Sequence, residues 1–255
     1  MKNIQLIKNH QVDPNYVASL YHLLHKINTP DLNDHLFCGV GETAIGLIKY
    51  GEHLPWIDHL DLGFYTEDNH QSLFDFLKKL LYVGDVASDD LLVKVKMFGD
   101  DKYYLLMDLA PSETSVPCEG EEKVSINTLI NLLSTESGSY HYSSDPCNRD
   151  PLHLNTPLDH IQISYKCPSL SNTIHGFKLE DGAVAKPRLN IYPYYNVGRR
   201  MFSRIELDGD CQTVVSLSLS WKKTVLNKVA INVPIDLRAV TIKFYTCLLY
   251  TSRCV

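Results

Sequence analysis

The chain lacks the features that would tie it to a membrane or an oxidising compartment. No stretch near the N-terminus is apolar for long enough to be a signal peptide or a membrane helix. No Asn-x-Ser/Thr sequon occurs among its many asparagines, which argues against a secreted glycoprotein. It has seven cysteines but no Cys-x-x-Cys pair. Cys38, Cys118, Cys147, Cys167 and Cys211 are too widely spaced for structural zinc or a disulfide framework, so buried or free thiols are expected. Positive charge is also short. The net charge of −6 excludes the broad basic surface that nucleic acid or an anionic bilayer requires. No internal repeat or low-complexity run appears. The expected location is cytoplasmic.

What remains is ordinary globular composition, 44% hydrophobic and 21% charged over 255 residues, enough for one large domain or a domain with a sizeable insertion. Val17, Leu20, Leu23 and Leu24 recur at helical spacing after Asp13-Pro14, and that helix should end before Thr29-Pro30. Leu36-Phe37-Cys38 reads as a short buried strand, Thr43 to Tyr50 as a helix ended by Gly51, and Leu60 to Tyr65 as a strand. Gln71 to Leu81 places Leu73, Phe76, Leu77 and Leu80 on one helical face. Leu91 to Phe98 alternates, Gly99-Asp100-Asp101 turns, and Tyr103 to Leu109 runs on, which is a β-hairpin pattern ended by Pro111. Ser125 caps an expected short helix to Leu133, and 134–150 reads as loop. Between Leu158 and Arg204 the strand signals are weak and broken by Pro168, Pro187 and Pro193, so no topology is assigned. Val214 to Leu219 alternates as a half-buried strand. The order of elements predicts an α+β fold with a mixed sheet.

The densest chemical information lies in Gly41–Gly63. A small-residue turn and helix (Gly41, Thr43, Gly46) precede Pro55-Trp56 and an acidic strand, Asp58-His59-Leu60-Asp61. On an alternating strand His59 and Asp61 share one face and Asp58 takes the other. A glycine turn presenting N–H groups, followed by carboxylates, suits a metal-bound nucleotide phosphate. Trp56 is expected to be a packing anchor for the acidic strand. Lys186-Pro187-Arg188, Arg199, Arg200 and Arg204, interleaved with Tyr192, Tyr194 and Tyr195, form the one basic concentration, readable as a surface loop or as a phosphate and base platform.

This stretch resembles the signature of the LicD/fukutin-type family, Gly-Thr-Leu-Leu-Gly-Ala, a basic residue, then Ile-Pro-Trp-Asp-Asp-Asp-Ile-Asp-Ile. Thr43-Ala44-Ile45-Gly46-Leu47 matches the first block, Lys49 the basic residue, and Leu54-Pro55-Trp56-Ile57-Asp58-His59-Leu60-Asp61-Leu62 the second. Val233-Pro234-Ile235-Asp236 with Phe244-Tyr245 is similar to the family's closing pattern. The likeness is thin between about Ser112 and Leu219.

The resemblance implies a nucleotidyltransferase-like core over 1–133, a loop-rich insertion or second subdomain over 134–210, and a return to the family fold over 211–246. It also implies a transferase that moves phosphocholine or a polyol phosphate from a CDP-linked donor to a glycan acceptor. Asp61, Asp108 and Asp58 would be catalytic, with Asp61, Asp108, Asp58 and His59 holding Mg²⁺ or Mn²⁺. Gly41, Thr43, Gly46 and Lys49 would face the donor phosphates. Asp108 enters as the third carboxylate, on a strand expected to pair beside the acidic one.

Three positions depart from the family. Ile57 and His59 stand where carboxylates are usual, and Glu42 stands where a glycine lets phosphate approach. They favour a second reading, a pseudo-transferase that keeps nucleotide binding without turnover; a third is a transferase of the nucleotide itself. Finally, Cys247-Leu248-Leu249-Tyr250-Thr251-Ser252 resembles the in-frame translation of a transposase adapter from sequencing libraries, and Arg253-Cys254-Val255 the same element reversed. Residues 247–255 are therefore expected to be non-native, with the natural chain continuing past Tyr245.

Overall fold

In the computed structural model of the chain, the described residues are 14–33, 37–66, 70–87, 91–97, 103–107, 121–135, 141–142, 152–153, 158–165, 177–178, 184–185, 187–197, 200–207, 211–217 and 221–235. They form an α+β structure of helices on a large mixed sheet.

Helix α1 (Pro14–Ile27) begins with a proline in its first turn, where the missing N–H costs nothing. It buries Tyr16, Leu20, Leu23, Leu24 and Ile27 along one stripe. A single turn, α2 (Pro30–Asn33), and strand β1 (Phe37–Gly39) lead into α3 (Gly41–Lys49). Strand β2 (His59–Thr66) follows, and then α4 (His70–Ala87). The anticipated hairpin is β3 (Leu91–Met97) paired with β4 (Tyr103–Met107). Strand β5 (Glu121–Ser125) runs directly into α5 (Ile126–Thr135), whose Thr128 N–H donates to Ser125 Oγ at 3.1 Å, the expected cap.

The remaining elements are strands. Short pairs are β6 (His141–Tyr142) with β7 (Leu152–His153), and β9 (Phe177–Lys178) with β10 (Val184–Ala185). The longer ones are β8 (Leu158–Tyr165), β11 (Arg188–Val197), β12 (Arg200–Leu207), β13 (Cys211–Leu217), β14 (Trp221–Leu226) and β15 (Val229–Pro234). The main sheet runs β14-β15-β1-β2-β11-β8-β3-β4-β5, with β12 and β13 extending from β11. Pairing is parallel at β1–β15, β2–β11 and β4–β5.

Alternation divides the sheet into two faces. Leu60, Leu62 and Phe64 of β2, Leu189 and Ile191 of β11, Ile161 and Ile163 of β8, and Val93 and Val95 of β3 join one core with α1 and α4. Phe64 stacks on Phe76 of α4 with ring centroids 4.3 Å apart. The opposite face carries His59, Arg188, Gln162, Lys94, Lys96, Tyr192 and Tyr103, all only partly buried. Among the described residues no helix is long and apolar enough to cross a membrane.

Two sequence expectations change here. First, β8 and β11 lie in the middle of the sheet that holds the acidic strand, so 158–165 and 188–197 are core strands and no separate subdomain. Pro193 had argued against a central strand. It is tolerated because β11 pairs with β8 only from Arg188 to Ile191, two residues short of the proline. Second, β4 does not pair beside β2. Its neighbours are β3 and β5, four strand steps from β2, about 19 Å at ordinary sheet spacing. Asp108 itself lies outside the described residues, as do Asp236, Phe244, Tyr245 and 247–255.

Candidate functional site

The site forms where β1, the start of α3 and β2 meet. Gly41 opens α3 at φ +50, a left-handed conformation that disfavours side chains, and a Cβ there would sit 3.0 Å from Asp61 Oδ2. The turn is tied to the strand twice. Val40 N–H donates to the Asp61 carbonyl at 3.1 Å, and Asp61 N–H donates to Thr43 Oγ1 at 2.8 Å. Thr43 is 2% exposed, so its hydroxyl is spent inside the fold. Thr43→Val leaves the Asp61 N–H buried without an acceptor. It should cost about 1–3 kcal/mol in urea unfolding, while Thr43→Ser stays near wild type.

Gly46 has a packing reason to be small, since a Cβ there would meet the Glu52 carbonyl at 2.6 Å. Lys49 stands at the far end of α3, about 12 Å from Gly41 along the axis. It is exposed, its ammonium 5.3 Å from the Tyr50 ring centroid. Of the four residues assigned to donor phosphates, only Gly41 therefore borders the carboxylates directly. Glu42, in the first turn, adds a favourable charge to the helix N-terminus and opposes an incoming anion.

Residues 53–57 anchor the strand. His53 Nε2–H donates to the Ile57 carbonyl at 2.7 Å, and burial holds this imidazole below its ordinary pKa, hence neutral. Leu54 and Ile57 are buried, whereas Trp56 is 43% exposed. The expected packing anchor is thus outside the core; the turn buries its neighbours and leaves the indole in solvent. Tyr16 Oη of α1 donates to the Asp58 carbonyl at 2.9 Å, fixing the first acid from below.

Three of the proposed ligands do converge. His59 Nδ1 lies 2.8 Å from Asp58 Oδ1 and His59 Nε2 lies 3.4 Å from Asp61 Oδ2. Burial works against charge on this ring, but its hydrogen bonds to the Asp58 and Asp61 carboxylates outweigh it and push His59 up to about 10. His59 is therefore an imidazolium at neutral pH, with both nitrogens donating. Its hydrogen bond holds Asp58 below the usual carboxylate range, and Arg188 acts in the same direction with Nη2 3.6 Å from Asp58 Oδ1.

On the neighbouring strand stand Arg188, read in the sequence only as part of the basic, tyrosine-rich stretch, and Asn190, which the motif did not include. Parallel pairing sets Arg188 beside His59 and Asn190 beside Asp61. Asn190 Nδ2 donates to Asp61 Oδ1 at 3.1 Å, while its buried Oδ1 has no partner. The available signal was the alternation Arg188-Leu189-Asn190-Ile191-Tyr192, hidden by the flanking prolines. Within the tyrosine-rich platform, Tyr194 is buried against Gly63 and Tyr192 packs on His160 at 5.5 Å between centroids. The side chains of Tyr195, Arg199, Arg200 and Arg204 lie outside the described residues.

A divalent ion does not suit this donor set. A protonated imidazole offers no lone pair, each Asp61 oxygen already faces a donor, and the strand beside Asp61 presents an amide where a third carboxylate would serve. The two acids are balanced by His59 and Arg188, so little net negative charge remains to attract Mg²⁺. Among the described residues no group of three or more His, Cys, Asp or Glu side chains is arranged to hold a metal. No family model matches the chain, and no curated protein matches it.

Proposed function

We propose that this chain is a degenerate LicD/fukutin-type protein with a nucleotidyltransferase-like core. In this reading it binds a nucleotide-linked phosphate without divalent-ion chemistry. The observation that carries it is the His59 ring held between Asp58 and Asp61, a built-in cation where the family pattern would call for a metal. The short β1 strand, left-handed glycine, helix and acidic strand support the likeness at the level of local order. Arg188, whose side chain is 36% exposed, offers its guanidinium edge to a phosphate, and Trp56 offers an indole face to a base or choline group.

The second reading is transfer of a phospho-alcohol from a CDP-linked donor to a glycan acceptor. The meeting of Asp58 and Asp61 on one imidazole ring favours it. It demands that His59 lose its proton and leave the carboxylates, and it needs an acid from outside β2 and β11.

Thermal melts with CTP or CDP-choline separate the two. The binding reading predicts stabilisation in EDTA that Mg²⁺ or Mn²⁺ does not increase, lost in Arg188→Ala. Stabilisation that appears only with the metal, or CMP release from CDP-choline, rejects it in favour of the transferase.

A further inference from the structure

A second titratable cluster lies on the open face of the sheet, two strands from β2, and the function proposed above uses none of its residues. It is built by a break in register. Between β3 and β8, Lys96 pairs with His160 and Met97 pairs with Leu158, so Asp159 is an extra residue on its strand. A bulge of this kind re-aims a side chain that alternation would send to the other face. Here it lets the Asp159 carboxylate reach its neighbour's ring, with His160 Nδ1 3.2 Å from Asp159 Oδ2. The other ring nitrogen, Nε2, lies 3.4 Å from Tyr103 Oη, contributed by β4.

In the form that serves as a base, Nδ1 donates to the Asp159 carboxylate, which only accepts, and Nε2 keeps a lone pair toward which the Tyr103 O–H donates. The imidazole is fixed further by rings, edge-on to Tyr103 at 5.8 Å and tilted against Tyr192 at 5.5 Å. Asp159 and His160 are 5% and 9% exposed, whereas Tyr103 is only partly buried, so the phenol is the outward end of the chain. Lys96 Nζ sits 5.9 Å from the Tyr103 ring centroid, a cation beside the group that would become a phenolate. A hydroxyl, a base and a group that orients the base, in that order, is the arrangement of an activated nucleophile.

We propose that Tyr103 is a nucleophile toward phosphodiesters, with His160 as its general base and Asp159 as the residue that positions His160. A phosphodiester fits because its single negative charge matches Lys96 and repels a nascent phenolate less than a dianionic monoester would. In the step, Tyr103 Oη bonds to phosphorus, the bond from phosphorus to a phenol leaving group breaks with its electron pair departing on the phenolate, and the Tyr103 proton passes to His160 Nε2. The imidazolium is then stabilised by Asp159. The product is a phosphodiester on tyrosine, with no change of oxidation state and no external co-reactant.

The test is incubation of the whole chain with bis(4-nitrophenyl) phosphate, following 4-nitrophenolate release and locating the adduct by peptide mass spectrometry. The expected result is stoichiometric modification at Tyr103 and none at the more exposed Tyr50 and Tyr82. Tyr103→Phe should abolish release, and His160→Gln and Asp159→Asn should slow it by about a hundredfold or more. Thermal melts confirm that each variant is folded. An unmodified Tyr103 in folded wild-type protein overturns the proposal, as does labelling no faster than at Tyr82. Because Tyr103→Phe and Asp159→Asn are nearly isosteric, a wild-type rate in either overturns it as well, even if His160→Gln fails to fold.

Discussion

His59→Gln should destabilise the protein by about 3 kcal/mol at pH 6, and the deficit should shrink as the solution is made alkaline. Two physical steps give the magnitude. Removing one partner from a largely buried ion pair leaves charge that solvent cannot reach, a loss of roughly 3–5 kcal/mol in comparable cases. The His59 and Asp58 side chains keep 20% and 27% of their exposure, which places this site at the low end. The sign with pH follows from the folded pKa of about 10 against about 6.5 when unfolded. A raised pKa means the stabilisation is complete below about 6.5 and is lost between there and about 10. Asp58, whose pKa is lowered, behaves the opposite way at the acid end. Its share is present above about 4 and disappears as pH falls through its folded value. Urea unfolding of both proteins at pH 6, 8 and 10 checks this, through a free-energy difference that falls across the series. A difference that is small and constant would mean that His59 is an ordinary surface residue.

The next largest effect is expected four residues along the same strand. Gly63→Ala should cost about 2–3 kcal/mol and lower the melting temperature by roughly 5–10 °C. A Cβ at this position would stand 2.5 Å from Cys38 Sγ and 3.1 Å from two carbons of the Tyr194 ring. Neither neighbour can retreat easily, since Cys38 and Tyr194 are 0% and 1% exposed. Cys38 is held by its pairing with Gly63 across β1 and β2, and its thiol donates to the Gly63 carbonyl at 3.5 Å. Burial pushes that thiol up to about 12, so it is a packing group with no thiolate chemistry at neutral pH. The clash also predicts coupling. Cys38→Ala removes the sulfur, so the double variant should lose less than the sum of the singles by about 1 kcal/mol or more. Simple additivity in thermal melts would show that the two strands accommodate the methyl elsewhere.

The contrast between these sites and the rest of the fold shows what a sequence carries locally. Helices α1, α4 and α5 announce themselves through periodic apolar residues and, for α5, through Ser125, because helix period and capping involve residues only a few positions apart. The β3–β4 hairpin is legible for the same reason, and the acidic strand declared itself by its Pro-Trp approach. The partner of that strand did not. Arg188 and Asn190 lie more than 120 residues from Asp58 and Asp61, and no local rule links them. Pro187 and Pro193 read as breakers because their effect depends on where sheet pairing stops, which only the assembled sheet decides. The reverse happened with Asp108, where a plausible strand-end acid follows a strand that pairs on the far side of β3. His59 shows a subtler limit. Its identity was plain, but its charge depends on two carboxylates meeting both ring nitrogens, and that is a property of geometry. Trp56 failed as an anchor for a similar reason, since a turn can bury either of two adjacent side chains.

On the proposed reading a protonated histidine takes the place of a metal between Asp58 and Asp61. The most direct test is a nitrogen-15 NMR titration of the His59 ring from pH 5 to 11, with and without millimolar Mg²⁺. The expected result is an imidazolium that keeps both ring protons through pH 8, titrates near pH 10, and shows no response to the ion. A ring that loses its proton near pH 6.5, with resonances that move when Mg²⁺ is added, would overturn that reading and return the site to metal chemistry.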